Sequence, residues 1–277
     1  MSWHIVSDTS CDLFTLEGVT DIAFSTVPFT IRVGDTEYID DDNISVEEML
    51  TANETHSESA QTACPSPEDW RVCFEKPGSV IAFTISSALS GSYNSACTAK
   101  TMVLEEDPEK EIIVIDSKAT GPETVLIIRK ACELIHQGKD AREIERELNE
   151  TAWKTHIVFA LCSYRNLIKA GRVNRLIGFI AGHLGFWGIG IGSEEGEIDI
   201  RGKARGQKGM IRFLLEEIQK VGLAGKSIVI SHCQNEEAAG ELKKRLTEAF
   251  RDITVTILPT RGLDSYYAER HGLIVGF

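Results

Sequence analysis

The chain has 277 residues, with 29 Lys and Arg against 42 Asp and Glu, giving a formal net charge of −13 and a pI near 5.1. That length is the upper edge of one domain and natural for two, and 42% hydrophobic with 26% charged residues supplies an ordinary globular core. The acidic total argues against a protein that grips nucleic acid over a wide surface, because that work needs a basic stripe. One local basic pocket remains compatible with it.

Met1-Ser-Trp-His-Ile-Val-Ser-Asp8 has no Lys or Arg ahead of its short apolar stretch, which is not a signal-peptide pattern. The least polar run, Gly178 to Gly192, is broken by His183 and is too short and Gly-rich to span a bilayer. Cys11, Cys64, Cys73, Cys97, Cys132, Cys162 and Cys233 are scattered and form no C-x-x-C, so reduced thiols are expected. The expectation is a cytoplasmic protein with no integral membrane segment, no nucleic-acid partner and no metal site.

In chain order, His4–Asp8 reads as a strand and 21–40 as extended segments with a hairpin at Gly34-Asp35. Ser45-Val-Glu-Glu48 is a capping box that starts a helix, and Ser66-Pro67-Glu68-Asp69 repeats the signal with Pro at the first helical position. A buried-type strand at 79–85, a helix at 94–106, a strand at 111–116 and a helix at 122–137 stopped by Gly138 follow. Asp140 caps a further helix to about Thr151. Strands alternating with helices imply a parallel sheet covered on both faces.

After about Thr155 the texture changes. The pattern predicts a strand at 157–161, helix over 163–179 and a hairpin around Ser193-Glu-Glu-Gly196 within 185–205. It then predicts helix 207–221, strand 227–231, helix 236–250 and strand 253–258. The fold class is therefore α/β with two domains. Residues 1–154 form a Rossmann-like, mostly parallel N-terminal domain. Residues 155–277 form an α+β domain with a mixed or antiparallel sheet. The 60–75 loop and helix are positioned to pack on the second domain.

Several chemical motifs fail on spacing. Gly188-Ile-Gly-Ile-Gly192 lacks the G-x-G-x-x-G spacing and precedes a hairpin, so it reads as structural. Gly225-Lys226-Ser227 has Lys220 where a P-loop needs glycine. There is no G-x-S-x-G, and His232-Cys233 is a weak metal candidate better read as structural.

The informative stretch is Ala82 to Asn94, where a buried strand ends, small residues follow and a helix begins. Helix-start N–H groups with Ser90, Gly91 and Ser92 make a neutral anion cradle beyond a strand's carboxyl end. Spacing alone serves simple helix capping by Ser90 or Ser92 equally well. Thr62-Ala-Cys-Pro-Ser66 is a second hydroxyl loop before a helix. Both lack cations, which suits one carboxylate better than a polyphosphate. The nearest basic cluster is Lys169, Arg172 and Arg175, which reads equally as a solvated helix end.

With these residues the chain resembles the DegV family of bacterial fatty-acid-binding proteins. The marks are Val6-Ser-Asp-Thr-Ser-Cys-Asp-Leu13, Thr62-x-x-Pro-Ser66, Ile85-Ser-Ser-Ala-Leu-Ser-Gly-Ser-Tyr93, Val114-Ile-Asp-Ser-Lys118 and Lys169-Ala-Gly-Arg172. The resemblance implies two α/β domains with a long-chain fatty acid as ligand between them and no catalytic residue. It also implies a separate ATP-dependent fatty acid kinase as partner, which phosphorylates the presented carboxylate. By position, Thr62 and Ser90 match the family's carboxylate-binding hydroxyls. Arg172 matches a basic residue near the ligand head or the partner.

Several positions depart from the family pattern. Ala63, Cys64 and Ala170 replace common family residues. The usual C-terminal histidine segment is replaced by Ser265-Tyr-Tyr-Ala-Glu-Arg-His-Gly272, leaving Tyr266, Tyr267 and His271 as candidates for the histidine's place. Alternative functions are a small-molecule transferase or hydrolase using the same cleft, and a lipid-sensing regulatory module.

Overall fold

The computed structural model describes residues 2–56, 60–173 and 185–277. The first half of the chain runs β1 (Trp3–Asp8), a 3-10 turn (Thr9–Cys11), β2 (Ala23–Val27), β3 (Thr30–Val33), β4 (Thr36–Ile39), α1 (Val46–Thr55), β5 (Gln61–Ala63) and α2 (Pro67–Phe74). It continues through β6 (Ser79–Thr84), α3 (Ser92–Glu106), β7 (Ile112–Asp116), α4 (Pro122–His136) and α5 (Ala141–Ala152). The second half adds β8 (Ile157–Leu161), α6 (Arg165–Lys169), β9 (Phe186–Gly192), β10 (Ile198–Arg205) and α7 (Gly206–Val221). It ends with β11 (Ser227–His232), α8 (Glu236–Ala249), β12 (Thr254–Pro259), α9 (Gly262–Ala268) and β13 (Leu273–Gly276).

The first sheet is all parallel, in the order β2-β1-β6-β7. Its strands are apolar on both sides because both faces are covered. Ile5, Ile81, Phe83, Ile113 and Ile115 pack under α4 and α5. The alternate residues Val6, Val80, Ala82 and Val114 pack under α2 and α3. Ser66 and Asp140 cap α2 and α5 with reciprocal bonds to Asp69 and Glu143. At α1 only the forward bond forms, from the Glu48 N–H to the Ser45 hydroxyl at 3.3 Å.

The second sheet is mixed, β10-β9-β8-β13-β11-β12, and only β11 and β12 run parallel. One face carries α7 and α8 through Val158, Ala160, Ile228, Ile230 and Val275. The first half supplies much of the cover for the other face. β3 pairs antiparallel with β4 and β5 to form a small third sheet. Its Ile31 and Val33, with Met49 and Leu50 of α1, share a core with Ile157, Phe159 and Leu161 of β8.

This packing corrects two expectations and adds two elements. The 60–75 segment divides. β5 joins the small sheet facing the second half, whereas α2 stays on the first sheet through Trp70, Cys73 and Phe74. The expected helix over 163–179 ends at Lys169, and its remainder from 174 lies outside the described residues, as does Arg175. Finally, α9 and β13 are elements the sequence pattern did not reveal. β13 inserts between β8 and β11 and holds the centre of the second sheet.

Candidate functional site

In the first sheet the chain leaves β1 toward β2 on one side, while β6 flanks it on the other. The carboxyl ends of β1 and β6 therefore border the crevice where an open α/β sheet binds ligands. Asp8 ends β1 there. One of its oxygens accepts the Ser10 N–H and hydroxyl; the other accepts the Ile85 N–H at 3.0 Å and the Ser92 hydroxyl at 2.6 Å. Burial pushes the Asp8 carboxyl up, and these donors oppose it.

The three cradle residues have different surroundings. Ser92 is fully buried and its hydroxyl is committed to Asp8, so it braces α3 against β1 and does not line the cavity, contrary to expectation. Ser90 and Gly91 do line it. The Ser90 hydroxyl also accepts the Ser92 N–H at 3.3 Å. Gly91 is the N-cap of α3 and no side chain caps it, so Ser90 holds the turn ahead of the helix and lines the cavity at once.

Thr62, on β5, faces α9 across the cavity. Its Oγ1 lies 2.8 Å from the Tyr267 hydroxyl. Burial pushes the Tyr267 phenol up, while the Thr62 bond and the charge of Arg172 pull the other way. Tyr266 turns inward, is 2% exposed, and meets Tyr267 edge-on with ring centroids 4.9 Å apart. His271 is exposed and does not line the cavity; its N–H donates to the Cys233 carbonyl at 2.8 Å. Of the three candidates for the family's histidine, only Tyr267 reaches the cavity.

Arg172 arrives by backbone geometry. After α6 the Gly171 N–H donates to the Ile168 carbonyl at 3.1 Å and the Arg172 N–H to the Leu167 carbonyl at 2.9 Å. This is a Schellman end with Gly171 at φ 71, where an L side chain would be strained. It turns Arg172 onto the cavity wall. Ala170 sits at φ −72, so nothing there calls for the family's glycine. Lys169 is exposed and does not line the wall.

The cavity has a volume of about 200 Å³ and is open at one side. One wall is Ile157, Phe159 and Leu161 of β8 with Ile274 of β13; the facing wall is Phe29, Ile85, Leu89 and Leu263. The Gly188–Gly192 stripe explains how β8 presents its side chains. Phe159 pairs with Gly190 across the strands, and a Cβ on Gly190 would overlap the Phe159 ring. A Cβ on Gly192 would lie 2.8 Å from Ile157 Cγ2. The glycines therefore seat the cavity wall, in keeping with their structural reading. A wider groove of about 710 Å³ opens alongside and shares Leu89, Arg172, Glu197 and Ile198 with it.

The sequence reading missed Thr120, Glu197 and Asp264 on the wall. Glu197 follows the β9–β10 turn, which is docked from the first half. The Ser86 hydroxyl donates to the Gly196 carbonyl at 2.8 Å and Lys118 Nζ to the Glu194 carbonyl at 3.1 Å. Lys118 Nζ also stands 3.2 Å from the centroid of the Trp153 ring. Among the described residues no histidine lines the cavity, and no group of three His, Cys, Asp or Glu is placed to hold a metal. His232 Nδ1 instead accepts the Asn235 N–H at 3.1 Å, at the start of α8. No described helix is long and apolar enough to cross a membrane.

The family model described as "Uncharacterised protein, DegV family" matches residues 2–263. A DegV domain-containing protein of Streptococcus pneumoniae is 37% identical over 278 residues, covering 100% of this chain and 99% of that one. The chain belongs to the DegV family. Among solved DegV structures, the S. pneumoniae Fatty Acid Kinase (Fak) B3 protein loaded with linoleic acid matches with a TM-score of 0.96 at 37% identity, covering 100% of this chain and 99% of that chain. A DegV family protein from Eubacterium eligens loaded with heptadecanoic acid gives a TM-score of 0.95 at 33% identity, covering 99% of each chain. Four of the five DegV marks place a residue on the cavity wall, namely Thr62, Ser90, Lys118 and Arg172. The first mark stands behind the wall through Asp8 and Asp12.

Proposed function

We propose that this protein binds a long-chain fatty acid in the cavity, with the carboxylate held at Thr62, Ser90 and Gly91 and Arg172 at the mouth. The observation that carries the reading is an apolar cavity edged by hydroxyls, with Tyr267 bonded to Thr62. Each methylene taken from water contributes about 0.8 kcal/mol, so a long acyl chain needs only a modest polar anchor. Hydroxyls and amides hold a carboxylate without neutralising it, which leaves it free to react.

The 1–154 and 155–277 portions act as two lobes around the ligand. The chain is a carrier without a catalytic residue of its own. It works in the cytoplasm and presents the carboxylate to an ATP-dependent fatty acid kinase. The linoleic and heptadecanoic acids of the two similar structures support the ligand class. The name of the first of these proteins supports the kinase.

Organic extraction of the purified protein followed by mass spectrometry tests the ligand. A fatty acid at near-stoichiometric amount is expected; no acyl lipid, together with no binding of added palmitate or oleate, overturns the reading. Mixing the loaded protein with the source organism's kinase and ATP should yield an acyl phosphate, and failure to do so removes the partner.

A further inference from the structure

A second polar group lies directly behind the cavity. Asp8, Asp12, Asp40 and Asp264 are each at most 3% exposed, and the equally buried Arg261 is the cation set among them. Two of these acids are fully supplied with donors. Asp8 has the four bonds described above. Asp40 accepts the Gly262 and Leu263 N–H groups, each at 2.9 Å, with Arg261 Nε at 3.6 Å.

Asp12 and Asp264 are supplied on one side only. Asp12 Oδ1 accepts the Arg261 N–H at 2.8 Å and Asp264 Oδ1 the Thr120 hydroxyl at 2.7 Å. The Oδ2 atom of each is buried without a hydrogen-bond partner. The two orphaned oxygens converge: a Cβ built on Gly121 would stand 2.5 Å from Asp264 Oδ2 and 2.9 Å from Asp12 Oδ2. The Arg261 guanidinium donates to the Leu13 and Asp40 carbonyls at 2.8 and 3.0 Å, with Asp42 at 3.5 Å; its Nε is buried without a hydrogen-bond partner, and its charge works against the rise of Asp12. Ser231 of β11 approaches Asp12 without closing a hydrogen bond.

Two buried carboxyl groups whose free oxygens approach one point resist ionising together, and a proton on one supplies a donor there. Burial is the largest force raising both groups, Asp12 to about 7. The charge of Asp12 raises Asp264 further, with Asp40 and Asp8 adding to it. We propose that Asp12 and Asp264 share one proton, and that this proton sets the charge of the cavity wall met by the ligand's head group. The second half of that statement rests on the fatty-acid reading.

Asp264 lines the cavity one helical turn ahead of Tyr267, on the side of α9 that carries the Thr62 bond. With the proton present, the wall beside the anchor carries one negative charge fewer and admits a carboxylate. With it lost, a carboxylate ligand faces an added like charge on a wall that also carries Lys118 and Arg172, which lowers affinity on the order of tenfold. Burial holds the Tyr267 phenol above its ordinary range, so it does not titrate in the same window.

Infrared difference spectroscopy reads the proton without any ligand. Glu123 is a buried carboxyl that also holds a proton near neutrality, so Glu123→Gln is the working background. A protonated-carboxyl band component at neutral pH should shift or disappear in both Asp12→Asn and Asp264→Asn. If neither substitution changes the band, no proton is shared. Should one variant not fold, the other carries the test.

Affinity for a fluorescent long-chain fatty acid is then measured from about pH 6 to 10, where that carboxylate is ionised throughout. The parent should weaken on the order of tenfold with rising pH, and Asp264→Asn should stay flat. Identical profiles overturn the role in ligand binding even where the band behaves as expected. Absence of lipid binding at every pH instead overturns the fatty-acid reading and leaves the infrared result standing.

Discussion

The Tyr267 hydroxyl stands 2.8 Å from Thr62 Oγ1, a bond between positions 205 residues apart in the chain. It ties α9 to the small third sheet and fixes the Thr62 hydroxyl from the C-terminal side of the cavity. Tyr267→Phe removes that bond and little apolar area. It should weaken fatty-acid affinity by about fivefold, the worth of about 1 kcal/mol for one hydrogen bond. Titration calorimetry with oleate checks this, and an unchanged affinity would show that Thr62 needs no such support.

Ser90 and Ser92 are two residues apart, and the proposed site gives them separate jobs. Ser92→Ala removes a donor from the buried Asp8 and should destabilise the protein by about 1–3 kcal/mol while lipid affinity holds in the folded protein. Ser90→Ala should do the reverse, lowering affinity with a small change in melting temperature. Calorimetric melting and lipid titration of both variants decide between this assignment and a shared role.

Gly190 lies under the Phe159 ring. Gly190→Val should push that ring into the cavity at a cost of about 1–3 kcal/mol for overpacking. The variant should copurify with shorter acyl chains than the parent, read by mass spectrometry of extracted lipid. An unaltered chain-length profile would place the acyl chain elsewhere.

Glu123, in the first turn of α4, is 4% exposed, and burial raises its carboxyl from 4.5 to about 8 against an opposing bond from Thr155. Between those values the folded chain holds a proton that the unfolded chain has released. Stability therefore falls as pH rises from about 4.5 to 8 and levels off above, by on the order of a few kcal/mol for this group. Glu123→Gln should flatten that slope and melt higher than the parent at pH about 8. Equal slopes in a pH series of thermal melts would refute the assignment.

What could be read from the sequence follows from run length and caps. Ser79–Thr84 and Ile112–Asp116 are continuous apolar runs, and the reciprocal caps at Ser66 and Asp140 mark where helices begin. β5 and β13 are too short to show a period; pairing with β3, and with β8 and β11, makes them strands. The same limit hid α9, and with it the choice between two adjacent tyrosines. Only the helix orientation sends Tyr266 inward and Tyr267 to the cavity.

Thr62, Ser90 and Arg172 could be named because each stands in a motif. Asp264 could not, because one more acid in a chain of 42 acidic residues carries no signal until folding brings it to Asp12. Ser92 misled for the opposite reason. Its place in the motif is real, but its hydroxyl points back toward β1.

α4 packs on the first sheet and also touches β11 and β13 of the second, so that Val229 of β11 belongs to the same apolar cluster as Ile5 and Ile115. Neither sheet can release this helix without exposing the other's core. The two sheets should therefore melt as one cooperative unit in calorimetry, and a cut in the chain near Lys154 should yield fragments that stay together until both unfold.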